Sequence, residues 1–158
     1  MIVGDLSYAD SDQPRWDSWA NLISNMSSQL PTMTQVGNHE EEISGFLAYA
    51  SRMAMPAPAK DKDNVWYSVD IGSVHWITLS NYHPFTSGSA QHSWLQADLA
   101  GIDRSVTPWV FVNTHAPWYN TNTAHQGDGE AQRVALEPML YAAGADAFFC
   151  GREFACAL

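Results

Sequence analysis

Four apolar runs each end in a short polar cluster, and between them these clusters carry side chains that bind metals. Met1-Ile2-Val3 leads into Gly4-Asp5-Leu6-Ser7-Tyr8-Ala9-Asp10, and residues 33–36 lead into Gly37-Asn38-His39-Glu40. Residues 109–112 lead into Asn113-Thr114-His115, and residues 147–150 into Gly151-Arg152-Glu153. A carboxylate, an amide oxygen, an imidazole and a phenol are thus all delivered where a strand gives way to a loop. Hydrolysis of a phosphate ester on two metal ions calls for such a set: a carboxylate that bridges ions about 3.5–4 Å apart, and neutral ligands for the positions left over. Asp5 is the natural bridge, Asn38 offers a neutral oxygen and His115 a ring nitrogen. Tyr8 coordinates only as a phenolate, which points to a strongly Lewis-acidic ion such as ferric iron.

Those clusters do chemistry together only if the chain brings the strand ends to one place. In α/β sheets, ligands collect in the crevice beyond the carboxyl ends of the strands, so the four junctions are expected to converge. Residues 15–30 carry Trp16, Trp19, Leu22, Ile23, Met26 and Leu30 at spacings of three and four, which predicts an amphipathic helix entered after Pro14 and stopped by Pro31. With a strand over 32–36, the first forty residues read as a β-loop-α-β-loop unit whose parallel crossover makes Asp5 and Asn38 neighbours.

Further along, residues 41–53 read as a short helix and residues 55–64, with Pro56 and Pro58, as a loop. Residues 65–70 and 74–79 flank Ile71-Gly72-Ser73 as a hairpin that starts a second sheet. Residues 91–102 and 129–143 read as helices, the latter kinked or divided at Pro138, and residues 145–150 as a last strand. There is no internal repeat and no linker, so residues 1–158 read as one domain.

Composition narrows the partners. A net charge of -10, with seven lysines and arginines, argues against nucleic acid or an anionic membrane surface as the target. An anionic substrate then needs a metal to receive it. No apolar run approaches the roughly 20 residues that span a bilayer, and the start lacks a basic segment and a small-residue cleavage motif. Cys150 and Cys156 do not match a zinc spacing and read as buried or incidental thiols. Asn25-Met26-Ser27 is a glycosylation sequon that leans toward a secretory route.

The clusters 4–10 and 37–40, together with Asn113-Thr114-His115-Ala116-Pro117-Trp118-Tyr119-Asn120, resemble the motifs of purple acid phosphatases. The likeness extends through Trp66-Tyr67-Ser68, Trp94-Leu95, Asp98-Leu99, Asp103-Arg104, Thr107-Pro108-Trp109 and the segment 129–140. It implies a partial four-layer α-β-β-α sandwich that hydrolyses phosphomonoesters at a dinuclear centre of Fe(III) with zinc, manganese or iron. In that reading Asp5 bridges the ions, Tyr8 binds the ferric ion, and Asn38 and His115 bind the divalent one. His39 and His125 meet the substrate phosphate or protonate the leaving group, with Ala124 standing where the family has a second histidine. The resemblance also implies a small phosphate-ester substrate and a secreted, vacuolar or lysosomal setting.

Two departures matter. The family's first aspartate would precede Met1, and its last two histidines fall at Arg152 and Phe154. The chain is therefore expected to be an incomplete metallophosphoesterase domain, truncated at both ends, whose ferric position keeps only Asp5 and Tyr8. Arg152 would add a fixed positive charge there. The competing readings are a non-catalytic remnant holding at most one divalent ion, and a phosphodiesterase of the wider superfamily, against which Tyr8 argues. Glu40 and Glu130 are expected to orient neighbours through hydrogen bonds, His75 to be a packed sheet residue, and Trp118 and Tyr119 to shape a substrate rim or pack on the sheet.

Overall fold

The computed structural model describes residues 1–58, 63, 65–121 and 123–152. Its elements are β1 (Ile2–Val3), α1 (Pro14–Ser27), β2 (Thr34–Gln35), a 3-10 turn (Asn38–Glu40), α2 (Leu47–Ala50), β3 (Tyr67–Ile71), β4 (Val74–Thr78), α3 (Ala90–Gly101), β5 (Trp109–Thr114), α4 (Glu130–Ala142) and β6 (Ala147–Cys150). β1 and β2 pair in parallel as one sheet, and β3-β4-β5-β6 form a second. Within the second sheet only β3 and β4 are antiparallel. The hairpin does begin a second sheet, and the ligand-bearing strands divide between the two.

The pleat separates the functions of the two faces of the larger sheet. His75, Ile77, Val110, Val112 and Phe148 share one face by register. Ile77, Val110 and Val112 bury there with Leu95 of α3 and Leu136 and Leu140 of α4. Both helices lie on this face because the crossovers from β4 to β5 and from β5 to β6 run in the same direction with the same hand. Burying each such Leu, Ile or Val contributes about 1.5–3 kcal/mol.

The opposite face carries Trp76, Phe111 and Asn113, and it receives the smaller sheet. Gln35 of β2 accepts from Asn113 Nδ2 and donates to the carbonyl of Leu79, so the two sheets meet through a buried polar contact. On its outer side β2 presents Thr34 to Tyr49 of α2, with 3.1 Å between the hydroxyls. Trp16 and Tyr49 bury there with Leu6, Val36, Phe46 and Trp66. The order of layers is helix, sheet, sheet, helix.

Several elements differ from expectation. The helix expected over 41–53 is a single turn, because Glu42 and Gly45 exchange backbone hydrogen bonds of 3.0 and 2.8 Å with Gly45 at a φ of +70°, closing a tight turn first. α1 stops at Ser27, ahead of Pro31. α4 is continuous through Pro138. The proline deprives only the carbonyl of Val134 of its donor, and Val134 is 62% exposed, so water can supply the partner. Cys150 is disulfide-bonded and is not the thiol expected. Cys156, Glu153, Phe154 and half of the expected loop over 55–64 lie outside the described residues. His75 is packed into the sheet as expected, with a side chain 12% exposed.

Candidate metal centre

The loops leaving β1, β2, β5 and β6 meet at the carboxyl edges of the two sheets. Close approach is possible because glycines line the crevice. Gly4 has a φ of +79°, and a Cβ there would collide with His115 Nδ1 and lie 2.8 Å from the Gly37 nitrogen. At Gly37 a Cβ would collide with the Asp5 carboxylate, and at Gly151 with the carbonyl of Val3. The glycine in each loop is thus the space that the ligand of another loop occupies.

His115, wholly buried, is the centre of the cluster. Its Nδ1 lies 2.9 Å from the carbonyl of Val3. A carbonyl only accepts, so Nδ1 carries a proton, and in the neutral ring the lone pair is on Nε2. Nε2 faces Asp5 Oδ2 and Asn38 Oδ1, each at 3.2 Å. Three electron-rich atoms from three strand ends therefore converge, and a proton or a metal ion must lie among them for the contact to be attractive. Ligands about 2.0–2.1 Å from a tetrahedral ion sit about 3.3 Å from each other, which matches this spacing. The donor set fits a divalent ion. Among the described residues no group of three His, Cys, Asp or Glu side chains gathers in this way; here the third donor is an asparagine.

Residues 1–151 match the family described as calcineurin-like phosphoesterase. The chain belongs to that family. Purple acid phosphatase 22 of Arabidopsis thaliana is 45% identical over 162 aligned residues, taking in 98% of this chain and 37% of the relative. Purple acid phosphatase 21 of the same plant is 46% identical, over 96% of this chain and 36% of the relative. A phosphoenolpyruvate phosphatase of Allium cepa is 39% identical over 98% of the chain and 35% of its own length. The chain thus spans little more than a third of these relatives. A solved purple acid phosphatase from yellow lupin (Lupinus luteus) seeds shares the fold, with a TM-score of 0.84 over 95% of this chain and 29% of that one, at 22% identity. Membership among purple acid phosphatase homologues implies a dinuclear metal centre.

In this phosphoesterase chain the oxygen that faces His115, Asp5 Oδ2, also lies 3.4 Å from Tyr8 Oη. Burial raises the Asp5 pKa, but the hydrogen bond and charge of His115, aided by His39, outweigh it and the net shift is downward. The Tyr8 hydroxyl is pushed up, by burial first and then by the Asp5 charge, so without a cation it stays protonated. Tyr8 also lies against the ring of His39 at 4.2 Å between centroids. His39 donates its backbone N–H to Asp5 Oδ1 at 3.3 Å, while its Nδ1 pairs with Asp10 at 2.7 Å.

His125 is placed differently. It sits at a φ of +57° on the loop before α4, and its Nδ1 lies 3.2 Å from Asp128 Oδ2. Arg152, expected at the ferric position, pairs with the same carboxylate oxygen at 3.0 Å. Among the described residues no hydrogen bond or ion pair joins His125 to Asp5, Asn38 or His115. Trp118 is buried and stacked on Phe148, whereas Tyr119 is exposed beside a groove of about 370 Å³ that Trp118, Gly127 and Arg133 also line.

Glu40 orients its neighbours through hydrogen bonds as expected, and three further supporting residues, Gln132, Asn81 and Gln35, escaped the sequence reading. Glu40, wholly buried, accepts the backbone N–H groups of Asp5, Leu6 and Gly37 at 2.7–2.8 Å. Burial pushes its pKa up against the pull of those donors. Gln132 of α4 accepts from Asn81 Nδ2 at 2.6 Å and from Trp118 Nε1 at 3.1 Å, while the single hydroxyl proton of Thr114 goes to the nearer Asn81 Oδ1. Its Nε2 donates to the carbonyl of Ser80 at 2.8 Å. Asn81 Oδ1 in turn accepts from the Ala116 backbone at 2.8 Å, so His115 is held by hydrogen bonds to both of its sequence neighbours. Gln35 joins the sheets beneath it. The only sequence signal for this set is polar residues interrupting apolar runs.

Proposed function

We propose that this chain is the metal-holding part of a purple acid phosphatase-type hydrolase of small phosphomonoesters. The observation that carries the reading is the meeting of Asp5 Oδ2, Asn38 Oδ1 and His115 Nε2 at 3.2 Å from three strand ends. In this reading Asn38 and His115 hold the divalent ion, Asp5 bridges, and Tyr8 holds the ferric ion as a phenolate. A metal pair bound there supplies Lewis-acid stabilisation of charge developing on the phosphoryl oxygens.

The protein's own groups do the rest. Val3 fixes the tautomer of His115 through its carbonyl, keeping the Nε2 lone pair aimed at the centre. Asp10 orients His39 through Nδ1, leaving Nε2 to meet a substrate oxygen and give up a proton to the leaving group. His125, set back on its loop and paired with Asp128, contacts a substrate that extends over the rim. Asp10 and Asp128 support their histidines as carboxylates orient imidazoles elsewhere in catalysis. A secreted or vacuolar setting, with acidic working pH, accords with these relatives. Among the described residues no helix is long and apolar enough to cross a membrane.

A second reading rests on one observation: Tyr8 Oη has the Asp5 carboxylate as its hydrogen-bond acceptor, at 3.4 Å. The phenolate position then has two ligands, and the chain is a one-metal protein without turnover. Residues 1–158 are in either case a portion of a metallophosphoesterase domain, in keeping with their share of the relatives' length. Metal analysis, visible absorption from a tyrosinate-to-iron transition, and turnover of a chromogenic phosphomonoester at acidic pH decide between the two. A coloured, active protein with two metals per chain supports the first; a colourless, inactive one with a single metal leaves the second.

A further inference from the structure

We propose that Glu40 is a positioning residue that locks the two ligand loops together and so sets the direction of the Asp5 carboxylate, without itself touching metal or substrate. The inference deepens the proposed function and depends on it only for the consequence on metal affinity.

Glu40 closes the 3-10 turn that carries Asn38 and His39. Its two oxygens are divided among three donors. Oε2 accepts from Asp5 at 2.8 Å and from Gly37 at 2.7 Å, and Oε1 accepts from Leu6 at 2.7 Å. Two of these donors belong to the loop after β1 and one to the loop after β2. The clamp therefore joins segments more than thirty residues apart, and it does so through backbone atoms on both sides.

What it holds is an unusual stretch of backbone. Asp5 has a φ of +54° directly after Gly4 at +79°, a left-handed conformation that is uncommon outside glycine even though aspartate enters it more readily than most residues. With the N–H groups of Asp5 and Leu6 both pinned to one buried carboxylate, the Cα–Cβ bond of Asp5 has a fixed direction. Oδ1 then meets the His39 N–H at 3.3 Å while Oδ2 is turned to His115 and Tyr8. Loss of the clamp frees that direction while every ligand remains in place in the sequence.

A carboxylate is required for a simple reason of valence. Three N–H donors need two accepting atoms, and glutamine offers one oxygen and an NH2 that would face a donor. Glu40→Gln keeps the shape and loses at least one bond. The test uses the full chain. In the metal-free protein, amide hydrogen exchange by NMR should show protection at Asp5, Leu6 and Gly37 falling at least about tenfold in Glu40→Gln, with Ile77 and Val112 changed less than about twofold. Titration with Mn²⁺ or Zn²⁺ should show affinity lower by about 10–100-fold, the range for losing a group that orients a ligand.

Uniform loss of protection that includes Ile77 and Val112 would reduce Glu40 to a general stabiliser and overturn the proposal, as would unchanged exchange at the three amides or unchanged affinity despite lost protection. Should the variant not fold, wild-type exchange decides: one clamp predicts a common opening for Asp5, Leu6 and Gly37, and protection factors differing by more than about tenfold refute it. A wild-type chain that binds no metal refutes the proposed function, and the exchange result still judges the clamp.

Discussion

The carbonyl of Val3 receives the Nδ1 proton of His115 at 2.9 Å, so a strand of one sheet orients the imidazole delivered by a strand of the other. The same two strands then supply the carboxylate and the ring nitrogen that face each other at 3.2 Å. Nearly all of what the site can do follows from that reciprocal hold, and it makes the site a property of the packing of the two sheets.

His115→Ala should lower affinity for Zn²⁺ or Mn²⁺ by more than about 100-fold, because a ligand is lost where even an orienting neighbour is worth 10–100-fold. Calorimetric titration reads it. His125→Ala, which has no contact with Asp5, Asn38 or His115 among the described residues, should leave metal affinity within about twofold and reduce turnover. Equal loss of affinity in both variants would show that the centre is not where Asp5, Asn38 and His115 meet.

Metal removal should destabilise the fold. The buried lone pairs of Asp5, Asn38 and His115 repel unless a proton or metal lies among them, and a ligand bound only by the native state at 100 times its Kd adds about 2.7 kcal/mol. Thermal unfolding with saturating Mn²⁺ and then with chelator should show the melting temperature fall, and Asp5→Asn should abolish the difference.

His75 should give stability a pH dependence of its own. Its Nδ1 and Nε2 lie 2.7 and 2.9 Å from Asp70 and Asp98, so the protonated ring donates to a carboxylate from each nitrogen. The Asp98 hydrogen bond, opposed by burial and aided by Asp70, raises its pKa above the ordinary 6.5. A raised histidine pKa stabilises fully below the unfolded value and its contribution is lost as pH rises through the folded one. Urea midpoints should therefore decline above about pH 6.5. Asp98→Asn should remove about 1–3 kcal/mol at acidic pH and flatten the decline.

Gln132→Leu should be disruptive although the position is on a helix far along the chain from Asp5. The change strands the donors of Asn81 and Trp118 beside the buried Thr114, while the Ser80 carbonyl keeps Gln91 Nε2 at 3.1 Å and Thr114 Oγ1 keeps Asn81 Oδ1. Each unsatisfied buried donor costs about 1–3 kcal/mol, so the loss should be about 2–6 kcal/mol. Denaturant unfolding measures it, and Leu136→Ala, at about 2–5 kcal/mol, is the apolar comparison.

The ligand types and their positions at strand ends were legible from residue chemistry, since Asp5, Tyr8, Asn38 and His115 each follow an apolar run. The helices also stood out wherever their apolar spacing ran for several turns, as in α1, α3 and α4. The segment 41–53 misled because its composition suits a helix, while the turn at Glu42 to Gly45 is decided by two backbone hydrogen bonds that no side-chain pattern encodes. Pro138 does not divide α4, because the carbonyl it orphans belongs to Val134, and the exposure that lets water reach it is a tertiary fact.

By itself the sequence determined which groups the site can contain, because residue types fix ligand chemistry and the rise from strand to loop fixes where each emerges. Only the tertiary structure decided that Asp5 Oδ2, Asn38 Oδ1 and His115 Nε2 share one small space, that Glu40 ties two loops by their backbones, and that His125 and Arg152 meet at Asp128 instead. Those arrangements depend on two separate sheets meeting at Gln35 and Asn113, and contacts between residues far apart in the chain are set by packing and buried hydrogen bonds, which local sequence does not carry.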